Sequence, residues 1–267
     1  MLRLQGVTYR YPGATTDTLR AVDLELAEGT VTGLVGAAEA GKTTLCLVAG
    51  GLAPRVTGGR VIGDITLDGI DVRDWPMHRL ADHVVTGLQN PGGQLSLIAE
   101  TVFGEVAFGP ANLGLPYAEV AERTDAALQL VGIDALRERD PARLSGGQQQ
   151  LVVMAGLLAM RPRGLVLDEP VAHLDAAGMN LVLKAVRSAA DAGTAVLMAE
   201  QRTDALVATC DSVAVIAAGN IVAAGPPLEV LADPTVAAFG IEEPSEVRLR
   251  RRLAEAGLDP TLADVPS

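Results

Sequence analysis

Apolar and polar positions alternate along LRLQGVTYRY (residues 2–11) and LRAVDLELAEG (19–29), the period of two expected of half-buried antiparallel strands. The pattern then changes. TVTGLVG (30–36) is a mostly apolar run closed by glycine, which reads as a buried strand entering a tight turn, and KTTLCLVAGGL (42–52) as the helix that follows. ITLDGIDV (65–72) and HVVTGL (83–88) predict further strands, whereas the stretch from about Thr101 to Met160 is helix-rich, with AEVAERTDAALQLVG (118–132) its clearest amphipathic segment. Beyond it strands and helices alternate: GLVLDEP (164–170), AAGMNLVLKAVRSAADAG (176–193), TAVLMAE (194–200), TDALVATC (203–210), SVAVIAAG (212–219) and NIVAAG (220–225). The expected fold class is therefore α/β, with a mostly parallel sheet, an antiparallel N-terminal β subdomain and an inserted helical subdomain at about 96–160. After Pro226, EVRLRRRLAEAG (246–257) predicts a short tail helix with Leu249, Leu253 and Ala256 on one face.

Composition narrows the function classes. A formal charge of −12 with 49% hydrophobic and 20% charged residues marks a globular chain with enough apolar surface to fold without staples. The acidic balance and the scarcity of aromatics (3 Phe, 1 Trp, 3 Tyr) argue against a nucleic-acid binder. MLRLQGVTYR lacks the apolar core of a signal peptide, and Leu151–Met160 falls well short of the roughly 20 residues that span a bilayer, so any membrane role is expected to be peripheral. Cys46 and Cys210 suit a reducing compartment and two inert buried thiols.

The chemistry sits on two strand ends. Gly36-Ala37-Ala38-Glu39-Ala40-Gly41-Lys42-Thr43 fits G-x-x-x-x-G-K-[ST] between a predicted strand and a predicted helix, the arrangement of a P-loop NTPase core. Its backbone N–H groups and the positive end of the helix, with Thr44 completing the set, suit the phosphates of a nucleotide. Lys42 would reach the β/γ-phosphates and Thr43 would hold Mg²⁺. The only other lysine is Lys184, so the match is not a product of lysine abundance. GLVLDEP ends in Asp168 and Glu169: the first can position Mg²⁺ through its water shell, the second can orient or deprotonate an attacking water.

Leu144-Ser145-Gly146-Gly147-Gln148, about twenty residues before that strand, resembles the signature motif of ABC-type ATPases. The resemblance implies a second anion cradle at a helix N-terminus, Ser145 with Gly146 and Gly147, acting on nucleotide held by an opposite subunit in a head-to-tail dimer. It also implies that Tyr11 stacks on adenine, that Gln89 is the Q-loop residue and a metal-site residue with Thr43 and Asp168, and that Leu174-Asp175 is the D-loop. It covers roughly Leu2 to Leu231, leaving 232–267 as a C-terminal extension. Gln89-Asn90-Pro91-Gly92-Gly93-Gln94-Leu95 and the following TVFGEVAFGPANLGLP are similar to the ATPase subunits of energy-coupling-factor transporters, which carry vitamins or transition-metal ions inward. That family implies a transmembrane scaffold, a substrate-binding membrane subunit, a second ATPase subunit, and a place on the cytoplasmic face of the membrane. Its C-terminal extension helps the ATPases dimerise. Gly92 and Gly93 stand where acidic residues are common, and His173 where a small one is.

The family's switch histidine falls on Gln201. The chain's histidines, His78, His83 and His173, all lie earlier. A glutamine amide can place an N–H where an imidazole N–H would be, but it cannot take or give a proton near neutral pH, so weakened hydrolysis is expected at this half-site. Two other functions stay open: a regulatory ATP-binding partner with little turnover, and a soluble non-transport ABC ATPase.

Overall fold

In a computed structural model, residues 1–172 and 174–259 are described, and they form two sheets with helices around them. The N-terminal part runs β1 (Leu2–Arg10), β2 (Leu19–Leu26), β3 (Val31–Val35), α1 (Lys42–Ala49), β4 (Arg60–Leu67), β5 (Ile70–Asp71), α2 (Met77–Ala81) and β6 (Val84–Gly87). The helical part holds α3 (Val102–Asn112), α4 (Tyr117–Leu130) and α5 (Gly146–Ala159). Then come β7 (Gly164–Asp168), α6 (Ala176–Asp191), β8 (Ala195–Ala199), α7 (Thr203–Thr209), β9 (Ser212–Ala217) and β10 (Asn220–Gly225), followed by α8 (Pro227–Leu231), α9 (Pro234–Ala237) and α10 (Ser245–Glu255).

The first sheet, in the order β2-β1-β4-β5, is antiparallel, as the alternating pattern requires. ITLDGIDV is not one strand. Asp68 and Gly69 both take positive φ (51° and 77°) and turn β4 back into β5, because an Asp-Gly pair satisfies a tight hairpin turn more easily than an extended conformation.

The second sheet has the order β10-β9-β3-β8-β7-β6, parallel except for β10. Every residue of β3, β7 and β8 is buried, which is why these strands read as apolar runs and not as alternations. Helix α6 covers one face through Val182, Val186 and Ala189, spaced at i, i+4 and i+7. On the other side α1 is buried through Leu45, Cys46 and Val48. Both cysteines are buried and unpaired by disulfide, and burial pushes the Cys46 thiol well above its ordinary range and Cys210 up to about 12. The strand order matters most for function. The turns leaving β3, β8, β7 and β6 emerge side by side at the C-terminal edge of one sheet, where α/β sheets bind their ligands.

No helix among the described residues is long and apolar enough to cross a membrane.

Candidate functional site

The turn after β3 is shaped by glycine. A β-carbon at Gly36 would lie 2.4 Å from the Ile216 carbonyl oxygen on β9, so no larger residue fits without moving backbone. Gly41, with φ +112°, closes the loop in a conformation that L side chains avoid, and α1 begins at the next residue. Inside the loop Lys42 is buried, its Nζ donating to the carbonyls of Gly36 at 2.8 Å and Ala37 at 2.9 Å. The ammonium is thus held in the curl of the loop that the sequence assigns to phosphates. A cavity of about 380 Å³ opens above it, lined by residues that include Thr18, Ala38, Glu39, Gly41, Lys42 and Thr43. Thr44, Glu169 and Gln201 complete that lining. Tyr11 sits beside this loop, with its hydroxyl 3.2 Å from Thr44 Oγ1 and its ring edge-on to Tyr9 at 4.8 Å between centroids.

Glu169, the residue after β7, takes φ +52°, a left-handed conformation that a non-glycine residue keeps only where its surroundings enforce it. Its N–H is tied to the Ala199 carbonyl at the end of β8, 2.9 Å away. Its carboxylate is clamped from both neighbouring strand ends. Gln201, after β8, donates its side-chain amide to Glu169 Oε1 at 2.5 Å, and Gln89, after β6, donates to Oε2 at 2.7 Å. Because β7 lies between β8 and β6, one carboxylate receives both amides.

Asp168, one residue earlier, is buried. Burial raises its carboxyl above the usual carboxylate range and the charge of Glu169 adds to this, while the nearby Thr43 side chain and Lys42 charge act the other way. Its Oδ1 is buried with no partner among the described residues.

The sequence reading missed Glu200. It is 2% exposed, and its Oε1 accepts the N–H groups of Gln201 (2.7 Å) and Arg202 (3.1 Å), which fixes the backbone on which Gln201 stands. Burial raises its carboxyl too, opposed by those two N–H groups and reinforced by Glu169. A carboxylate ending an all-apolar strand was the available signal. Gln94 braces the same region: its Oε1 accepts the Leu88 N–H at 2.6 Å and its Nε2 donates to the Thr86 carbonyl at 2.9 Å, stapling the loop that carries Gln89 to the end of β6.

A family model described as ABC transporter matches residues 19–172, more than half of the chain. The chain belongs to the ABC transporter ATPase family. An energy-coupling factor transporter ATP-binding protein, EcfA2 of Symbiobacterium thermophilum, is 36% identical over 260 residues, covering 95% of this chain and 88% of that protein. A Streptomyces coelicolor protein named as an ABC transporter ATP-binding protein is 41% identical over 234 residues, 87% of this chain, and this chain spans only 41% of that relative's length. Among solved structures, CbiO1 from Clostridium perfringens, described as part of the ABC transporter complex CbiONQ, superposes with a TM-score of 0.78 at 28% identity, over 99% of this chain and 98% of that one. The resemblance read from the motifs is borne out, and so is the fold class.

Other ABC motif residues stand at helix N-termini. Ser145 caps α5 through a reciprocal pair: its Oγ accepts the Gln148 N–H at 3.3 Å and Gln148 Oε1 accepts the Ser145 N–H at 3.1 Å. Ser145, Gly146 and Gly147 do not line the cavity around Lys42 and Thr43. Asp175 caps α6, Oδ1 accepting the Gly178 N–H at 2.8 Å, and is likewise outside that lining. Gly92 and Gly93 fall in a tight turn started by Asn90, whose side chain accepts the Gly92 N–H at 3.1 Å. His173 lies outside the described residues.

Proposed function

We propose that this chain is the ATP-binding and ATP-hydrolysing subunit of an importer of the energy-coupling-factor type, carrying a vitamin or a metal ion, and that it works peripherally at the cytoplasmic face of the membrane. The observation that carries the reading is the Glu169 carboxylate, held by Gln89 and Gln201 at the edge of the cavity that contains Lys42 and Thr43. The P-loop amides from Gly36 to Thr44 and the Lys42 ammonium bind the triphosphate, and Tyr11 lies against the adenine. Glu169 takes the proton of the attacking water on a carboxylate oxygen. Gln201 orients water and γ-phosphate through its N–H but moves no proton.

Mg²⁺, when bound, neutralises charge on the β- and γ-phosphate oxygens. Thr43, Gln89 and Asp168 would hold it, and the unpartnered buried Oδ1 of Asp168 fits a cation's hydration shell.

Ser145, Gly146, Gly147 and Asp175 serve the nucleotide of a second ABC ATPase subunit, alike or unlike, in a head-to-tail dimer. None of these four lines the cavity around Lys42 and Thr43, and Leu144 and Gln148 of the same motif line another cavity with Leu136 and Arg139, which supports that arrangement. The loop from Gln89 to Leu95 receives a transmembrane scaffold, and solute choice resides in a separate substrate-binding membrane subunit. The boundary at 231/232 is proposed as functional only, since Val236 and Ile241 pack into the same apolar cluster as Leu206 and Val230. Gln201 favours one second reading, a degenerate ATP-binding partner whose complete mate does most of the hydrolysis.

Extraction of membranes with detergent and isolation of the tagged chain tests the proposal. A polytopic membrane protein and a second ATPase should accompany it, with crosslinks from 89–95 to the polytopic one. Crosslinks from this loop to soluble proteins alone would contradict the transport role.

A further inference from the structure

The C-terminal extension reaches back to the ATP site. Ile241 is buried in the main core. A β-carbon at Gly240 would lie 3.8 Å from that of Ala37 in the P-loop. Gly36, Ala37, Gln201, Arg202, Ile241 and Glu242 help to line a cavity of about 370 Å³ between loop and extension. Helix α10 then starts at Ser245, behind Pro244, which has no side-chain acceptor with which to cap it. The cap comes from another helix. Asp204 Oδ1 accepts the Ser245 N–H at 2.7 Å and Oδ2 accepts the Ser245 hydroxyl at 2.6 Å, across 41 residues of sequence. Asp204 stands in the first turn of α7, three residues after Gln201.

We propose that Asp204 is a positioning residue for ATP hydrolysis: by capping α10 it fastens the C-terminal extension to the segment that aims Gln201 at Glu169, so the seating of the extension sets turnover. Two bonds from one carboxylate to one residue make a single latch. Glu200 holds the Gln201 segment through its backbone N–H groups, and the Asp204 latch holds it to the extension. The role rests on the ATPase reading of the site, but its structural half does not.

The test uses the full chain with its natural partner and two routes to the same loss. Asp204→Ala removes the acceptor. Ser245→Pro removes both donors yet leaves α10 able to form, because proline is favoured at the first helical position and Pro244 already has the extended backbone that a following proline requires (ψ 148°). Hydrogen exchange of peptides covering 245–251, the helix that loses its cap, should quicken about fivefold in either variant, and that of peptides covering 200–206 should quicken with it because the latch ties the two together. Turnover should fall severalfold with KM for ATP unchanged, the double variant should be no worse than either single one, and Asp204→Asn, which keeps an acceptor for the Ser245 N–H, should recover most of the loss. Wild-type exchange in 200–206 in both single variants would overturn the latch, whether or not turnover is measurable. Quickened exchange with wild-type kcat would overturn its role in hydrolysis. A wild-type complex without any turnover would instead contradict the ATPase reading, and exchange would still judge the latch.

Discussion

Gln201 donates its side-chain amide to Glu169 at 2.5 Å, at the position where the family's resemblance places a histidine. On the reading proposed above, this contact keeps the geometry of the switch position while the amide exchanges no proton. Gln201→His should raise turnover at the site built on this chain's Lys42 and Glu169 with little change in ATP affinity. The rise should stay below the ~10²-fold typical of a positioned acid or base, because in the proposed mechanism Glu169 supplies much of that function. Turnover measured with the partner's catalytic glutamate disabled checks this; a rate that falls or does not move would mean that Gln201 is no handicap.

Lys42→Ala should remove most ATP affinity. The ammonium is the cation lining the P-loop cavity, and its removal leaves the triphosphate charge poorly balanced. Calorimetric titration with ATP checks it, and unchanged affinity would contradict the P-loop assignment.

Gly36→Ala should damage the same loop by a different cause. The added methyl would meet the Ile216 carbonyl oxygen at 2.4 Å, a backbone atom that cannot swing aside. A cost of about 1–3 kcal/mol in stability is expected, together with weaker ATP binding. Chemical denaturation and calorimetry on one preparation check both, and a wild-type result in each would show that β9 gives way freely.

Glu200 carries a pH signature. Burial raises its carboxyl above the ordinary value of 4.5, so the folded chain holds this proton more tightly than the unfolded chain does. Its stabilising contribution is complete below that ordinary value and is lost as pH rises through the raised one. Glu200→Gln, whose carbonyl can still accept the Gln201 and Arg202 N–H groups, removes that loss. The Tm of the variant minus that of wild type should therefore become more positive from pH 4 to pH 7. A difference constant across that range would contradict the assignment.

The site turns were legible because each is an apolar strand ending in polar or glycine chemistry: TVTGLVG before the P-loop, GLVLDEP before Glu169, TAVLMAE before Gln201. What local pattern could not reveal is that β7 lies between β8 and β6, because strand order is decided by packing among segments far apart in sequence. The double clamp on Glu169 was hidden for that reason, as was the Asp204–Ser245 contact. The Asp68-Gly69 hairpin, by contrast, carried its signal openly in a turn dipeptide between apolar residues. Helices α8 and α9, with 5 and 4 residues, are too short to show a period and rest on their Pro-initiated first turns.

The most direct measurement of the central claim, that Glu169 is the group acting on the attacking water, is single-turnover ATP hydrolysis by Glu169→Gln in the complex with its partner's catalytic glutamate disabled. ATP affinity should match wild type, because the amide keeps the shape of the carboxylate and Gln89 or Gln201 can turn its own carbonyl to the new N–H, while hydrolysis falls by on the order of 10²-fold or more and an ATP-bound dimer accumulates. Hydrolysis at the wild-type rate in a preparation free of other ATPases would contradict it.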